Sequence, residues 1–219
     1  MTILIKFEIR LKLINSKIPE KDFYLNDALT VSKELLGMLL VRKTGKKFAA
    51  VRIVETEAYI GEHDPACHAF GKVTNRNSVM FGQEGRAYVY FIYGYYYCFN
   101  AVCGKEGVGN AVLIRAGEPE QGIDIMRFNR PDVKNDIELT NGPSKLCMAL
   151  NIDKTLNGSD ITDPESKVFI TGNSGTDDFD INISRRIGLN KGIEFPYRFF
   201  IKDNPYVTKH KFNKEIINN

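Results

Sequence analysis

The sequence predicts an α+β fold, a single domain in which a largely antiparallel, curved β-sheet is flanked by helices. Three observations carry this. Strand-like segments come in neighbouring pairs joined by short glycine-containing turns, residues 38–42 with 48–56 and residues 87–93 with 95–102, as in β-hairpins. Helical patterns also occur, but strands and helices never alternate with βαβ regularity. At 219 residues, 43% of them hydrophobic and 26% charged, the chain can bury one substantial core.

The elements follow in order. Residues 2–13 alternate Ile3, Ile5, Phe7, Ile9, Leu11 and Leu13 with Lys6, Glu8, Arg10 and Lys12, so residues 1–18 read as an arm or edge strand. Residues 28–36 place Ala28, Val31, Ser32, Leu35 and Leu36 on one helical face, with Asn26 or Asp27 as cap and Gly37 as stop. The first hairpin turns at residues 43–47, around Gly45, and carries Glu55 and Glu57 near its end. Residues 61–85 are polar and too long for a passive connection, which marks a functional loop. The second hairpin turns at Gly94, and a buried strand is expected over residues 110–116. Helices are predicted over residues 120–128 and 144–150, and strands over 167–171 and 197–202. Residues 173–180 read as a loop and residues 213–219 as a tail that frays.

Composition excludes several classes. No apolar run approaches the roughly 20 residues of a membrane span, and the N-terminus is unlike a signal peptide. Cys67, Cys98, Cys103 and Cys147 are irregularly spaced among apolar or small residues, as reduced intracellular thiols are. A cytoplasmic protein is expected. The net charge of +3 is only a mild pull toward polyanions, so a nucleic-acid partner must be argued from where Lys and Arg sit.

The chemistry concentrates in a few motifs. Residues 88–100 hold six of the ten tyrosines around one glycine. Buried Tyr needs a partner for each hydroxyl, so this density suits a platform with one wet edge, and nucleic-acid bases are natural clients for ring faces. An aromatic-rich hairpin packed as core is the plain alternative. Glu55 and Glu57 are two apart on a strand and share a face unless a bulge intervenes. Held among apolar and aromatic groups, such a carboxylate serves as general base; otherwise the pair is solvated at a strand end. Arg115, inside VLIRA, needs an anionic partner if buried, and Glu57 or Glu55 would supply one. Ser144 and Lys145 stand at a helix start, where free N–H groups favour a phosphate or merely cap the helix. Thr74, Asn75, Arg76 and Asn77 set a cation and amides beside Met80 and Phe81, in a phosphate contact or a surface loop. His63, Asp64, Cys67 and His68 could ligate zinc, but their spacing fits no known knuckle or helical pair and Pro65 interrupts them.

In order and spacing, VETEAYIGEHDPACHAFG, TNRNSVMFG, YVYFIYGYYYCFNAV, AVLIRAGEP and NGPSKLCMAL resemble the alkyladenine (3-methyladenine) DNA glycosylase family, from about Leu25 through Tyr206. The resemblance makes residues 19–212 a glycosylase domain. It implies an enzyme that flips alkylated or deaminated purines out of duplex DNA and hydrolyses the N-glycosidic bond, without metal or other cofactor. Glu57 then corresponds to the general base, Arg115 to the arginine beside the attacking water, and the Ile187 carbonyl to that water's third ligand. Tyr59, His68 and Tyr90 surround the extruded base, and Asn100 crowds the exocyclic amine of guanine. Tyr93 corresponds to the wedge that fills the vacated stack, and Met80 is placed with it. Arg76, Ser144, Lys145 and Lys154 match positions that contact the DNA backbone.

No lysine matches a Schiff-base nucleophile, so the implied product is an abasic site with the strand intact. The implied partner is double-stranded DNA bearing damaged purines, bound by a monomer at the nucleoid of a bacterium, with no membrane association. The chain departs from the family pattern at Asn75, where proline is usual, and in Tyr95, Tyr96 and Tyr97, expected to supplement the pocket. Two other functions compete: a catalytically silent nucleic-acid-binding module, and a metal-dependent hydrolase built on His63, Asp64 and His68. Glu57 with Arg115 argues against the first, since binding alone requires neither.

Overall fold

The computed structural model describes residues 17–172 and 178–217. The arm expected over residues 1–18 therefore lies almost wholly outside the described residues, as do 173–177 of the loop expected at 173–180. The chain enters through α1 (Lys21–Tyr24) and α2 (Ala28–Glu34). Asp27 caps α2, its carboxylate accepting the N–H groups of Leu29 at 2.9 Å and Thr30 at 3.0 Å, two donors the helix start would leave open. Gly37, at φ 83°, turns the chain into β1 (Leu39–Thr44), which pairs with β2 (Lys47–Tyr59) in the expected hairpin.

Strands β3 (Ala87–Ile92), β4 (Tyr96–Cys103) and β5 (Asn110–Gln121) follow, and then β6 (Val168–Thr171), β7 (Ile181–Ser184) and β8 (Arg198–Ile201). The sheet runs β3-β4-β5-β2-β1-β6, and every pairing among the described residues is antiparallel. The second half of β2 outlasts β1 and pairs with β8 through Glu55–Phe200, Thr56–Phe199 and Glu57–Arg198, with β7 beyond. Helices α3 (Ile123–Asn129), α4 (Ile137–Thr140) and α5 (Pro143–Ala149) complete the described α structure. The fold is α+β, as the pattern of elements predicts.

Period-two alternation divides the sheet into two chemistries. Ala87, Ala101, Val112 and Ala58 stand opposite one another on β3, β4, β5 and β2, and all four belong to the main apolar core. The adjacent row, Tyr88, Asn100, Leu113, Glu57 and Arg198, crosses β3, β4, β5, β2 and β8 and faces the other way. Over this second face lies the loop of residues 61–86, whose Cys67, Ala69 and Met80 pack with Tyr88, Val102 and Ala111 in a separate apolar cluster. The long loop is therefore a cover for the polar face.

The structure corrects several boundaries. The helix expected from residue 120 begins at Ile123, because β5 continues to Gln121 and Gly122, at φ 72°, makes the turn. The helix expected at 144–150 begins at Pro143, whose missing N–H costs nothing in a first turn. The short elements α1, α4 and β7 lack the length that a periodic pattern needs. Of the tail expected over residues 213–219, residues 218 and 219 lie outside the described residues; Lys211–Lys214 is a 3₁₀ turn, and the Ile217 N–H donates to the Ile183 carbonyl at 2.9 Å. All four cysteines are buried and free. Among the described residues, no helix is long and apolar enough to cross a membrane.

Gly122 is required twice over, by its left-handed φ and because a Cβ there would stand 2.5 Å from the Phe48 carbonyl oxygen. Gly122→Ala is expected to cost about 2 kcal/mol or more in urea unfolding. A loss below about 0.5 kcal/mol would show that the turn is not fixed as described.

Candidate active site

Glu55 and Glu57 do share a face, despite register shifts between β2 and β5 on either side of Glu55. Neither is solvated at a strand end, and neither sits among apolar groups alone. Both are completely buried, and Arg115 lies between them, its Nε 3.0 Å from Glu55 Oε1 and its Nη1 3.2 Å from Glu57 Oε2. Arg198, from β8, donates through Nε to the same Glu55 oxygen at 2.6 Å, and the Thr208 N–H donates to Glu55 Oε2 at 2.8 Å. Burial alone would raise the Glu55 pKa, but Arg115, Arg198 and Thr208 hold it below the ordinary carboxylate value. Burial would likewise lower the pKa of Arg115, and Glu57 and Glu55 raise it instead. Two carboxylates and two guanidiniums thus form a charge-balanced cluster.

Glu57 differs from Glu55 in what else it meets. Its Oε2 accepts the Tyr59 hydroxyl at 2.8 Å, and its Oε1 accepts the Ile187 N–H at 2.8 Å. It is the Ile187 N–H, not the carbonyl, that touches this carboxylate. Burial and the adjacent Glu57 push the Tyr59 pKa well above 10, so Tyr59 remains a donor. A carboxylate offers about four lone-pair sites. With Arg115, Tyr59 and Ile187 in place, one site is left for a further donor.

Tyr59 links this carboxylate to a cavity of about 190 Å³, walled by Tyr59, His68, Tyr88, Tyr90 and Asn100 and bounded by Gly188 and Leu189. The expected pocket residues Tyr59, His68, Tyr90 and Asn100 are therefore brought together. His68 meets Tyr90 edge to face, with centroids 4.5 Å apart, and its Nδ1 lies 2.9 Å from the Tyr88 hydroxyl. Desolvation and the nearby Arg76 lower the His68 pKa to about 4, leaving the imidazole neutral at ordinary pH. Burial raises the Tyr88 pKa to about 12, so that hydroxyl can donate. Asn100 is fixed by donation from Nδ2 to the Tyr88 carbonyl at 3.0 Å.

The remaining predicted residues fall in three places. Tyr93 projects from the tip of the β3–β4 hairpin, 76% exposed, with a φ of 52° that few bulky residues adopt. Met80, expected beside it as a wedge, is instead buried and lines the cavity. Tyr95 and Tyr96 point away to solvent and Tyr97 packs on Phe91, so none of the three supplements the cavity. Arg76 and Lys154 are exposed, and Arg76 also lies 5.4 Å from the centre of the Tyr90 ring. Ser144 and Lys145 line a separate cleft of about 440 Å³ at the start of α5.

His63, Asp64 and His68 do not converge. Asp64 is fully buried against Arg186, accepting from Nη2 at 2.7 Å and also from Nη1. His63 lies 3.3 Å from the Tyr197 hydroxyl instead. Arg186 is one of two buried arginines that the sequence does not mark. Its guanidinium lies 4.6 Å from the Tyr59 ring and 5.3 Å from the Tyr197 ring, and it donates to the Ala58 and Gly192 carbonyls. Nothing in SRRIG distinguishes it from its exposed-looking neighbour Arg185. Arg198 was hidden likewise, at the start of an apolar strand.

A buried carboxylate with a remaining acceptor site, joined through Tyr59 to a cavity walled by aromatic rings, is the arrangement of a hydrolytic enzyme site. Residues 22–205 match the family described as methylpurine-DNA glycosylase (MPG), and the chain belongs to that family. It is a DNA-repair enzyme, a monofunctional N-glycosylase that acts on DNA. A protein of Carboxydothermus hydrogenoformans is 49% identical over 189 residues, which cover 86% of this chain and 97% of that one. One of Francisella tularensis subsp. tularensis is 46% identical over 182 residues, 83% of this chain and 93% of that one. One of Methanocella arvoryzae is 46% identical over 192 residues, with coverage of 86% and 94%. All three carry the name "Putative 3-methyladenine DNA glycosylase".

Two outcomes test this geometry. Arg186→Met strands the Asp64 carboxylate and is expected to cost about 3–5 kcal/mol in urea unfolding, with part regained when Asp64→Asn is added. A single-variant loss under about 1 kcal/mol would mean the pair is not buried as described. His68 has a folded pKa below its unfolded value, so its contribution to stability is present above about pH 6.5 and is lost as pH falls toward 4. In an NMR titration its midpoint should fall near 4 and move upward in Arg76→Ala. A His68 midpoint above 6 would contradict the packing.

Proposed function

We propose that the enzyme removes alkylated and deaminated purines from duplex DNA after rotating the damaged nucleotide out of the stack. The observation that carries this is Glu57, held by Arg115, the Ile187 N–H and Tyr59, the last of which also walls an aromatic cavity. A base within a duplex cannot reach such a recess, so the nucleotide must leave the helix, at a cost of a few kcal/mol. Tyr93 stands exposed on the hairpin to occupy the space left behind.

In the proposed reaction a water uses the remaining acceptor site of Glu57, gives up its proton there, and attacks the anomeric carbon as the glycosidic bond breaks. The Arg115 guanidinium and the Ile187 carbonyl would complete the water's surroundings. Positive charge developing on the sugar faces the Glu57 carboxylate, as in glycoside hydrolysis generally. A cationic alkylated purine departs as a neutral base, whereas a neutral one such as hypoxanthine departs as an anion and takes up a proton, in net terms the one released by the water. While bound, the cationic lesion is attracted to ring faces, so Tyr59 and Tyr90 favour it over a normal purine. Neutral His68 adds no repulsive charge beside such a lesion. Asn100, locked by its bond to Tyr88, restricts what a purine edge can carry. Arg76, Ser144, Lys145 and Lys154 supply contacts to the DNA backbone, and the enzyme acts as a monomer. Candidate lesions are 3-methyladenine, the base named in its relatives, together with hypoxanthine and ethenoadenine.

The test is single-turnover cleavage of a duplex carrying one hypoxanthine or ethenoadenine, beside methylated DNA, with EDTA present throughout. Strand breaks should appear only after alkali, and Glu57→Gln should lower the rate at least 10²-fold while duplex binding persists. Tight binding with no base release from any of these substrates would favour a binding module instead.

A further inference from the structure

One stretch of the chain touches the catalytic cluster and two clefts but has no part in the reaction proposed above. Residues 208–212, TKHKF, run along the surface beside Glu55. The Thr208 N–H is bound to Glu55 Oε2 at 2.8 Å, and the Thr208 carbonyl accepts from Asn213 Nδ2 at 3.1 Å. The Thr208 hydroxyl donates to the Asn141 carbonyl at 3.4 Å. The segment is therefore pinned from both sides and behind.

On one flank, Thr208 and Lys209 line the cleft of about 440 Å³ that also holds Ser144 and Lys145. On the other, His210, Lys211 and Phe212 line a cleft of about 330 Å³ together with Arg185. Gly188 and Leu189 form part of this second cleft and also part of the aromatic cavity. A continuous path thus leads from the cavity past Gly188 and Leu189, over the 208–212 ridge, and down to the start of α5. Lys209 and Lys211 are exposed, and among the described residues neither forms an ion pair. Lys211 lies over the Phe212 ring at 5.5 Å, which holds its ammonium at the cleft without neutralising it. The acids on the path are few: Glu215 is engaged by Arg185, and Glu138 lies on the wall of the α5 cleft.

We propose that residues 208–212 form a ridge that binds the phosphodiester backbone of the strand carrying the extruded nucleotide, with Lys209 and Lys211 each neutralising a phosphate. This rests on the glycosylase reading of the cavity, because the path is defined by where that nucleotide's sugar must emerge. It also assigns Glu55 a task distinct from that of Glu57. By holding Thr208, Glu55 fixes the ridge relative to the catalytic carboxylate, with Arg115 common to both acids.

The test measures binding to a duplex containing one tetrahydrofuran abasic analogue, which has no glycosidic bond to hydrolyse, between 50 and 200 mM salt. Wild type is compared with Lys209→Ala/Lys211→Ala, with Lys209→Arg/Lys211→Arg, and with Lys46→Ala/Lys47→Ala at the far β1–β2 turn. The alanine pair on the ridge should weaken binding roughly tenfold or more and reduce the slope of log K against log salt by about two, one per lost phosphate contact. The arginine pair should retain the wild-type slope, and so should the distant alanine pair despite its identical loss of charge. An unchanged slope in the ridge alanine pair, with a steep wild-type slope, would overturn the ridge and leave the glycosylase reading standing. Equal loss in both alanine pairs would reduce the effect to net charge and also overturn it. If wild type binds no duplex at all, it is the underlying reading that fails.

Discussion

Glu55, Glu57, Arg115 and Arg198 are buried together, and much of the active-site half of the molecule is arranged around their charges. Placing an ion in a protein interior costs several kcal/mol, and attraction between a close pair returns about 4 kcal/mol at the effective dielectric that fits proteins. Such a cluster yields little net stability, so its consequence is positional. Arg115 can reach both acids only if β5 holds it opposite β2, and Arg198 can reach Glu55 only if β8 takes over the edge that β1 has left. The long β2 strand, shared by successive partners, is the structural condition for that charge balance. Within the cluster the acids divide: Glu55 spends both oxygens on Arg115, Arg198 and Thr208, whereas Glu57 turns toward the cavity through Tyr59.

The same sheet separates stability from chemistry by alternation. The Ala58, Ala87, Ala101 and Val112 row belongs to the helix-covered core, and the row beside it carries Glu57, Asn100 and Tyr88. Small side chains on the core face let the helices approach closely, while the larger polar groups on the other face need a cover of their own. The loop of residues 61–86 supplies it, and the ion pair between Asp64 and Arg186 fastens its start to the segment that ends in Ile187. That pair lies behind Tyr59, whose ring stands 4.6 Å from the guanidinium. Two of the three donors to Glu57, the Tyr59 hydroxyl and the Ile187 N–H, are consequently attached to elements that Arg186 holds in place.

What could be read in the sequence was local or patterned. The capped helix at Asp27, the two hairpins and the shared face of Glu55 and Glu57 all follow from short-range rules, and the family resemblance brought Tyr59, His68, Tyr90 and Asn100 to one place. The helix start at residue 120 was misplaced because Gly122, which ends β5 by its left-handed φ, resembles any other glycine in a polar stretch. The place of Met80 near Arg76 in the sequence says nothing of its burial, and the 3₁₀ turn Ser78–Phe81 carries it inward. The clustered tyrosines misled in the opposite direction. Alternation along β3 sends Tyr88 and Tyr90 to the cavity, but beyond Gly94 the rings of Tyr95 and Tyr96 lie outside it. Arg186 and Arg198 were beyond reach for a simpler reason, since their partners are 122 and 143 residues away in the chain.

At the hairpin tip, Tyr93 and Gly94 differ from the rest of the sheet. Both have positive φ, 52° and 74°, and the Tyr95 N–H closes the turn onto the Ile92 carbonyl at 3.3 Å. Gly94 adopts this backbone at no steric cost. Tyr93 does not: a non-glycine residue held there costs about 1–3 kcal/mol, and a ring exposed over three-quarters of its surface recovers almost none of that by packing. The free protein gains nothing from the arrangement. A partner that buries the ring would repay it, and under the proposed reaction the partner is the base stack from which the nucleotide has been withdrawn. Strain at the tip is then a cost borne by the free enzyme and relieved by that duplex.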